Sequence, residues 1–355
     1  MSLEILGFDS WCQSAFESHE RPGWVFGRVL TVNRTNWIIN DGVSEIRSEL
    51  TGRLNYSAES PLDRPAVGDW VVAQCFDDHT FAVIDEVLPR KTILKRKAAG
   101  ATVDYQVLAT NVDTLLIVQS CDQDFNVRRL ERYLVMARDG DVRPILLLSK
   151  VDQVSDEELQ VLITAVAKLD SELEIVSFST LENINMEAVT ALLAPQKTFC
   201  LMGSSGVGKT TLLNSLLGDE AFETGDVRES DHRGRHTTTS RHLVALDNGA
   251  LLIDTPGIRE LGTIGAETGI GDTFSDILNL SNSCRFSDCH HETDSGCAVR
   301  SAIESGDLDE DRFKSFQKLQ RETVRNEMSL AERRKKDKDL GKFYKSVIQS
   351  KKDRR

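Results

Sequence analysis

The segment Gly203-Ser204-Ser205-Gly206-Val207-Gly208-Lys209-Thr210 has the spacing of a phosphate-binding loop, and its place in the chain constrains the fold more than any other feature. Such a loop needs a strand before it and a helix behind it. Phe199-Cys200-Leu201-Met202 is an apolar run of strand length, and Lys209 to Leu217 has helical spacing. The glycines let backbone N–H groups turn inward around phosphate oxygens, and the following helix adds its positive end. In nucleotide-binding domains of this kind, the segment that reads a guanine base ordinarily comes after the loop. Here its counterpart, Ser149-Lys150-Val151-Asp152, comes first, and Asp254-Thr255-Pro256-Gly257 comes later. That is the order of a circularly permuted domain, one cut and rejoined elsewhere.

The rest of the chain fits around this unit. From about residue 22 to 95, short alternating apolar runs recur at Trp24–Leu30, Asn36–Ile39, Asp69–Ala73 and Phe81–Ile84, with turn residues such as Asp41-Gly42 between them. This predicts a small all-β barrel, an OB-fold first and an SH3-like barrel second. Beyond a basic joint at Lys95 to Thr102, strands and helices alternate. Thr114–Val118, Pro144–Leu148 and Glu174–Val176 read as strands, and Arg128–Arg138 and Asp156–Leu169 as helices. A βαβ repeat gives a mostly parallel sheet with its ligands at the strand C-termini. Asn248-Gly249, between Leu243–Asp247 and Ala250–Ile253, predicts a hairpin whose second strand delivers Asp254. From about Thr273 the chain reads as polar helix. The expected architecture is multidomain: residues 1–97 an N-terminal segment and OB-fold, 98–268 a circularly permuted P-loop GTPase domain, and 269–355 a mostly helical zinc-binding domain with a basic tail.

The chemistry expected of the nucleotide site follows residue by residue. Gly203 to Thr211 hold the phosphates, with Lys209 supplying charge to the β- and γ-phosphates and Thr210 a hydroxyl for Mg²⁺. Asp254 also faces Mg²⁺, and the Gly257 N–H faces the γ-phosphate. Asp152 accepts two hydrogen bonds from guanine; adenine offers no such pair and leaves the charge unmatched. The stem of Lys150 covers the base. Ser149 stands where Asn is usual; its shorter reach predicts weaker binding with guanine preference kept. A backbone N–H at Ser177-Phe178 is placed for the guanine O6. Ile258 follows Gly257 where many GTPases have a Gln that orients water. His236, within Arg233-Gly234-Arg235-His236-Thr237-Thr238-Thr239, is the candidate to act instead, and Thr238 the candidate to complete the Mg²⁺ shell.

A net charge of −13 argues against indiscriminate nucleic-acid binding, but basic residues cluster at Arg90, Lys91, Lys95, Arg96 and Lys97 and again from Arg333 to Arg355. No apolar run approaches the ~20 residues that span a bilayer, and the first residues lack the pattern of a secretion signal, so the expected location is cytoplasmic with no membrane partner. Cys12, Cys75, Cys121 and Cys200 are scattered. Cys284, Cys289 and Cys297 cluster with His291 in a C-x4-C-x-H-x5-C pattern, a closed tetrahedral set for one structural Zn²⁺, with His290 as a competing ligand.

Taken together, the permuted order, the barrel in front and the Cys-Cys-His-Cys site behind resemble the RsgA family of small-ribosomal-subunit biogenesis GTPases. The resemblance rests on Ser149 to Asp152, Gly203 to Thr211, Gly234 to Thr239, Asp254 to Gly257, and the four clustered metal-ligand candidates. It implies an OB-fold, a permuted GTPase domain and a zinc domain. It further implies GTP hydrolysis to GDP stimulated by the small ribosomal subunit, rRNA contact, a monomeric chain, and a hydrolytic role for the histidine matching His236. Two other readings fit the same motifs: a GTPase with a different partner, and an RNA-binding module that holds GTP as a structural ligand.

Overall fold

The structure, a computed structural model of the 355-residue chain, describes residues 3–17, 23–98, 105–218, 242–254, 266–292 and 294–327. It divides into two compact units, Met1–Lys95 with Val107–Leu261, and Arg96–Gln106 with Gly262–Arg355.

The first unit opens with helix α1 (Ser10–Glu17) and then closes a barrel. Its strands are β1 (Trp24–Val32), β2 (Trp37–Asn40), β3 (Glu45–Leu50), β4 (Trp70–Phe76) and β5 (Phe81–Val87), with the short helix α2 (Gly52–Ser57) after β3. The order around the barrel is β1-β2-β3-β5-β4 and back to β1; only the β3–β5 pairing is parallel. That is the OB-fold topology. The strand β3, Glu-Ile-Arg-Ser-Glu-Leu, escapes a reading by apolar runs. It buries Ile46 and Ser48 and exposes Glu45, Arg47 and Glu49, so half its length is a charged outer face. Val29, Ile39, Ile46, Val71 and Ile84 fill the interior.

After β6 (Ile93–Lys97) and β7 (Tyr105–Thr110), which form a two-stranded sheet, comes the α/β part. It consists of β8 (Thr114–Ser120), α3 (Val127–Asp139), β9 (Arg143–Ser149), α4 (Asp156–Leu169), β10 (Glu174–Ser177), α5 (Met186–Leu192), β11 (Thr198–Gly203), α6 (Lys209–Leu217), β12 (His242–Ala245) and β13 (Leu251–Asp254). Sheet order is β10-β9-β8-β11-β13-β12, parallel throughout except β12. Every residue of β8 is buried, as expected for a central strand covered on both faces. Ser155 and Glu158 start α4 with a capping box, and Asn126 caps α3. The predicted hairpin forms: Leu246 N–H reaches the Ala250 carbonyl (2.8 Å), Gly249 N–H reaches the Leu246 carbonyl (2.8 Å), and Asn248 donates to the Leu193 carbonyl (2.9 Å).

Barrel and α/β part meet at several places, two of them on β1. Thr31 of β1 pairs with His242 of β12, and the Thr31 hydroxyl lies 2.9 Å from His242 Nδ1. Arg28, fully buried on β1, reaches the carbonyls of Leu6, Gly68 (3.3 Å) and Asn111 (3.2 Å) and the Thr198 hydroxyl (2.9 Å) at the start of β11. Burial pushes its pKa down to about 10, which still leaves it charged.

In the second unit, α7 (Glu267–Thr273), α8 (Ser275–Ser281), α9 (Ala298–Ser305) and α10 (Glu310–Glu327) surround a small aromatic core. Phe274 and Phe316 lie 5.4 Å apart, and Arg312 grips Asp276 through two bonds of 2.9 Å. Among the described residues, no helix is long and apolar enough to cross a membrane.

Gly68 yields a stability test. Its φ is +94°, and a Cβ there would sit 2.1 Å from the Thr110 carbonyl oxygen. Gly68→Ala is expected to cost about 2–4 kcal/mol, read as a lowered thermal midpoint of the full chain.

Candidate nucleotide site and metal centre

The parallel register decides what meets at the edge of the sheet. Ser120 of β8 stands opposite Ser149 of β9, Val118 opposite Gly203 of β11, and Leu201 opposite Asp254 of β13. The C-terminal ends of four neighbouring strands therefore present Ser149, Ser120, Gly203 and Asp254 along one rim. Only glycine fits at 203, because a Cβ would lie 2.3 Å from the Val118 carbonyl oxygen. Gly206 and Gly208 take φ of +84° and +96°, which turns the loop back on itself into α6. Gly208 is the N-cap of that helix, and the backbone N–H groups of a helix's first turn are suited to phosphate oxygens. Lys209 Nζ donates to the carbonyls of Gly203 (2.9 Å) and Ser204 (2.6 Å), inside the loop. Burial lowers its pKa, and the Asp254 carboxylate opposes that shift.

Ser149 is buried and joins the two motifs. Its hydroxyl is 2.7 Å from the Val207 carbonyl of the loop and 3.3 Å from that of Gln119. A hydroxyl has one proton to give, and the shorter contact takes it. Lys150 follows with φ +60°, and Asp152 lies on a single turn of 3₁₀ helix, Val151–Gln153. One cleft is lined by Ser149, Lys150 and Asp152 from the upstream motif and by Val207, Gly208 and Thr211 from the downstream one. Gln153, Ser179, Thr180 and Leu181 complete its lining.

Ser177 ends β10 outside that lining. The Phe178 N–H is bound to the Leu148 carbonyl (2.8 Å) and the Ser179 N–H to that of Ile184 (3.0 Å). Sheet pairing thus engages the Phe178 donor, and the residues facing the cleft come two to four positions later. Asp122 was also missed by motif reading. It pairs with Lys150 Nζ at 2.9 Å. Burial acts to raise its pKa, but bonds from Lys150 and Ser120 outweigh this and hold it at about 2. Its position two residues past the end of β8 was the available signal, since strand C-termini carry the ligand in such sheets. His236, Thr238, Gly257 and Ile258 lie outside the described residues, as does the basic tail.

In the second unit Cys284, Cys289, His291 and Cys297 place one donor atom each within 4.8 Å of one another. Cys284 Sγ is 3.6 Å from His291 Nδ1 and 4.0 Å from Cys297 Sγ, and His291 Nδ1 is 3.4 Å from Cys297 Sγ. A tetrahedral zinc ion with bonds of about 2.0–2.3 Å needs donor edges of roughly 3.3–3.8 Å; the two His291 edges match, and the wider separations need only a small contraction of the set around an ion. The Ser281 hydroxyl, 3.2 Å from His291 Nε2, leaves Nδ1 turned to the cluster. Phe313 packs edge-on to the His291 ring at 6.0 Å. Cys297 caps α9, accepting the Arg300 N–H at 3.3 Å. Desolvation acts to raise the Cys284 pKa, but backbone N–H groups of Ala298 and Val299 outweigh it and lower the thiol. Desolvation and the neighbouring thiols push Cys289 up to about 11. Crowded thiolates of this kind are what a divalent ion relieves.

Comparison with known proteins gives a consistent set of relatives. The family model described as RsgA GTPase matches residues 87–264. The chain is 38% identical to Small ribosomal subunit biogenesis GTPase RsgA 2 of Vibrio parahaemolyticus, over 99% of this chain and 94% of the relative. It is 39% identical to Small ribosomal subunit biogenesis GTPase RsgA of Opitutus terrae, over 91% of this chain and 90% of the relative. Among solved structures it is similar in fold to YjeQ from Thermotoga maritima, with TM-score 0.61, 24% identity, and coverage of 83% of this chain and 97% of the other. It is likewise similar to YloQ, described as a circularly permuted GTPase, with TM-score 0.58, 23% identity, and coverage of 90% and 98%.

Two outcomes are expected from this geometry. Ser149→Ala removes the proton that joins the two motifs, and guanine-nucleotide affinity should fall about threefold to tenfold in a fluorescence titration. A strong zinc chelator should release one metal ion per chain and speed hydrogen exchange in residues 266–327 while exchange in β8 and β11 holds.

Proposed function

The chain belongs to the RsgA GTPase family and hydrolyses GTP, and from that premise we propose that it acts on the small ribosomal subunit during its biogenesis, with turnover stimulated by that particle. The observation that carries the reading is the shared cleft, where the upstream Ser149–Asp152 segment and the downstream phosphate loop face each other. In this reading Asp152 selects guanine, Lys150 covers it, and Gly203 to Thr211 hold the phosphates. Ser177, at the end of β10, belongs to the base side of the site, next to the Ser179 to Leu181 lining. Mg²⁺ supplies positive charge to the phosphates when bound, and Thr210, Thr238 and Asp254 are the residues that would hold it. Gly257 meets the γ-phosphate.

His236 orients the attacking water where Ile258 cannot, since an alkyl side chain neither donates nor accepts a hydrogen bond. rRNA is held by the OB-fold, the zinc-binding part and the basic tail, so specific basic patches outweigh a net charge of −13. The zinc is structural: three thiolates and one imidazole fill a tetrahedron and leave no place for a reacting water. The domain limits that go with this reading are 1–97, 98–268 and 269–355. The protein works as a cytoplasmic monomer without a membrane partner.

GTP turnover titrated with purified small subunits tests the proposal. A rise of at least tenfold that saturates near stoichiometric particle supports it, and a flat response refutes it. His236→Ala should remove the stimulated part while leaving GTP affinity within twofold of the parent; lost binding would make that residue structural.

A further inference from the structure

We propose that Asp122 is a positioning residue of the base cleft, which fixes the side chain of Lys150 as one wall of the guanine pocket. The proposal rests on the reading of Ser149 to Asp152 as the base-reading segment.

A lysine side chain has four rotatable bonds, and ordering it opposes binding. A wall made from such a chain is useful only if something holds it before the base arrives. Asp122 has the contacts to do so. Its Oδ1 accepts the Ser120 hydroxyl at 2.7 Å and the Asp124 N–H at 2.9 Å, and its Oδ2 accepts Lys150 Nζ at 2.9 Å. Both oxygens are engaged, so the carboxylate has one orientation. Ser120 is the last residue of β8 and stands in register with Ser149. The anchor is therefore a buried strand, and the ion pair spans from that strand to the residue after β9. Asp122 itself lies outside the cleft lining, which Lys150 joins; it acts through Lys150.

The neighbouring substitution gives this arrangement its purpose. Ser149 has one proton and gives it to the Val207 carbonyl, so it offers the base little. The base-side contacts fall on Lys150 and Asp152, and a pre-set Lys150 offsets part of what a longer amide would supply. Charge energy alone would be small, because the two side chains are 29% and 31% exposed. The gain comes from the chosen rotamer. Because this wall touches the base end, GTP and GDP should feel it equally.

The test is a double-mutant cycle in the full chain with fluorescent GDP and GTP. Asp122→Asn should weaken both nucleotides by the same factor, about threefold to tenfold, and the loss should fall on KM for GTP rather than kcat. In a Lys150→Met background, which keeps the stem and removes the ammonium, Asp122→Asn should add less than twofold. Ser120→Ala, a smaller change that removes one of the two bonds to Oδ1, should weaken binding in the same direction and stands in if Asp122→Asn misfolds. Unchanged affinity in either single variant, or an equal loss with and without the Lys150 ammonium, overturns the proposal. Asp152→Asn checks the underlying reading separately: the amide should favour xanthine over guanine nucleotides. If base preference does not move, the base-reading assignment fails; if it moves while Asp122→Asn has no effect, only the role of Asp122 fails.

Discussion

The central strand β8 is the constraint on which the site depends. It is buried along its whole length and pairs in parallel with β9 on one side and β11 on the other. Parallel pairing aligns C-terminal ends, so the upstream and downstream motifs arrive at one rim whatever their order in the chain. The permutation moves the cut point and leaves this register untouched. The Ser149–Val207 hydrogen bond then closes the gap that the register sets up.

Much of this was legible in the sequence, because the features that carry it are local. The phosphate loop must have glycines where φ is positive, and Gly206 and Gly208 take those values. Metal ligands need close spacing to meet in a short irregular segment, and Cys284 to Cys297 meet that need. Apolar runs such as Thr114–Val118 announce a doubly covered strand.

Other elements were not legible because they depend on tertiary context. Glu45–Leu50 looks too polar for a strand, since one face is solvated and the partner strand β5 lies some thirty-five residues away in sequence. The bond from the Phe178 N–H to Leu148 extends the pairing beyond Ser177, and the cleft lining at Ser179 to Leu181 follows it, a placement that only the sheet register reveals. Asp122 belongs to no motif. Its place just past the end of β8 is only a weak signal, and its partner is seen only when Lys150 reaches back to it.

The pairing of Thr31 with His242 has a consequence for colloidal behaviour. An open sheet ends in two rows of amide and carbonyl groups that invite a second chain to add a strand. Here one terminal strand, β10, is only four residues long, and the other, β12, is equally short and is bridged to the barrel at its first residue. The barrel wall itself has no ends, since β4 returns to β1. Fusing a closed cylinder to a truncated rim leaves this sheet, among the described residues, little template for cross-chain strand addition.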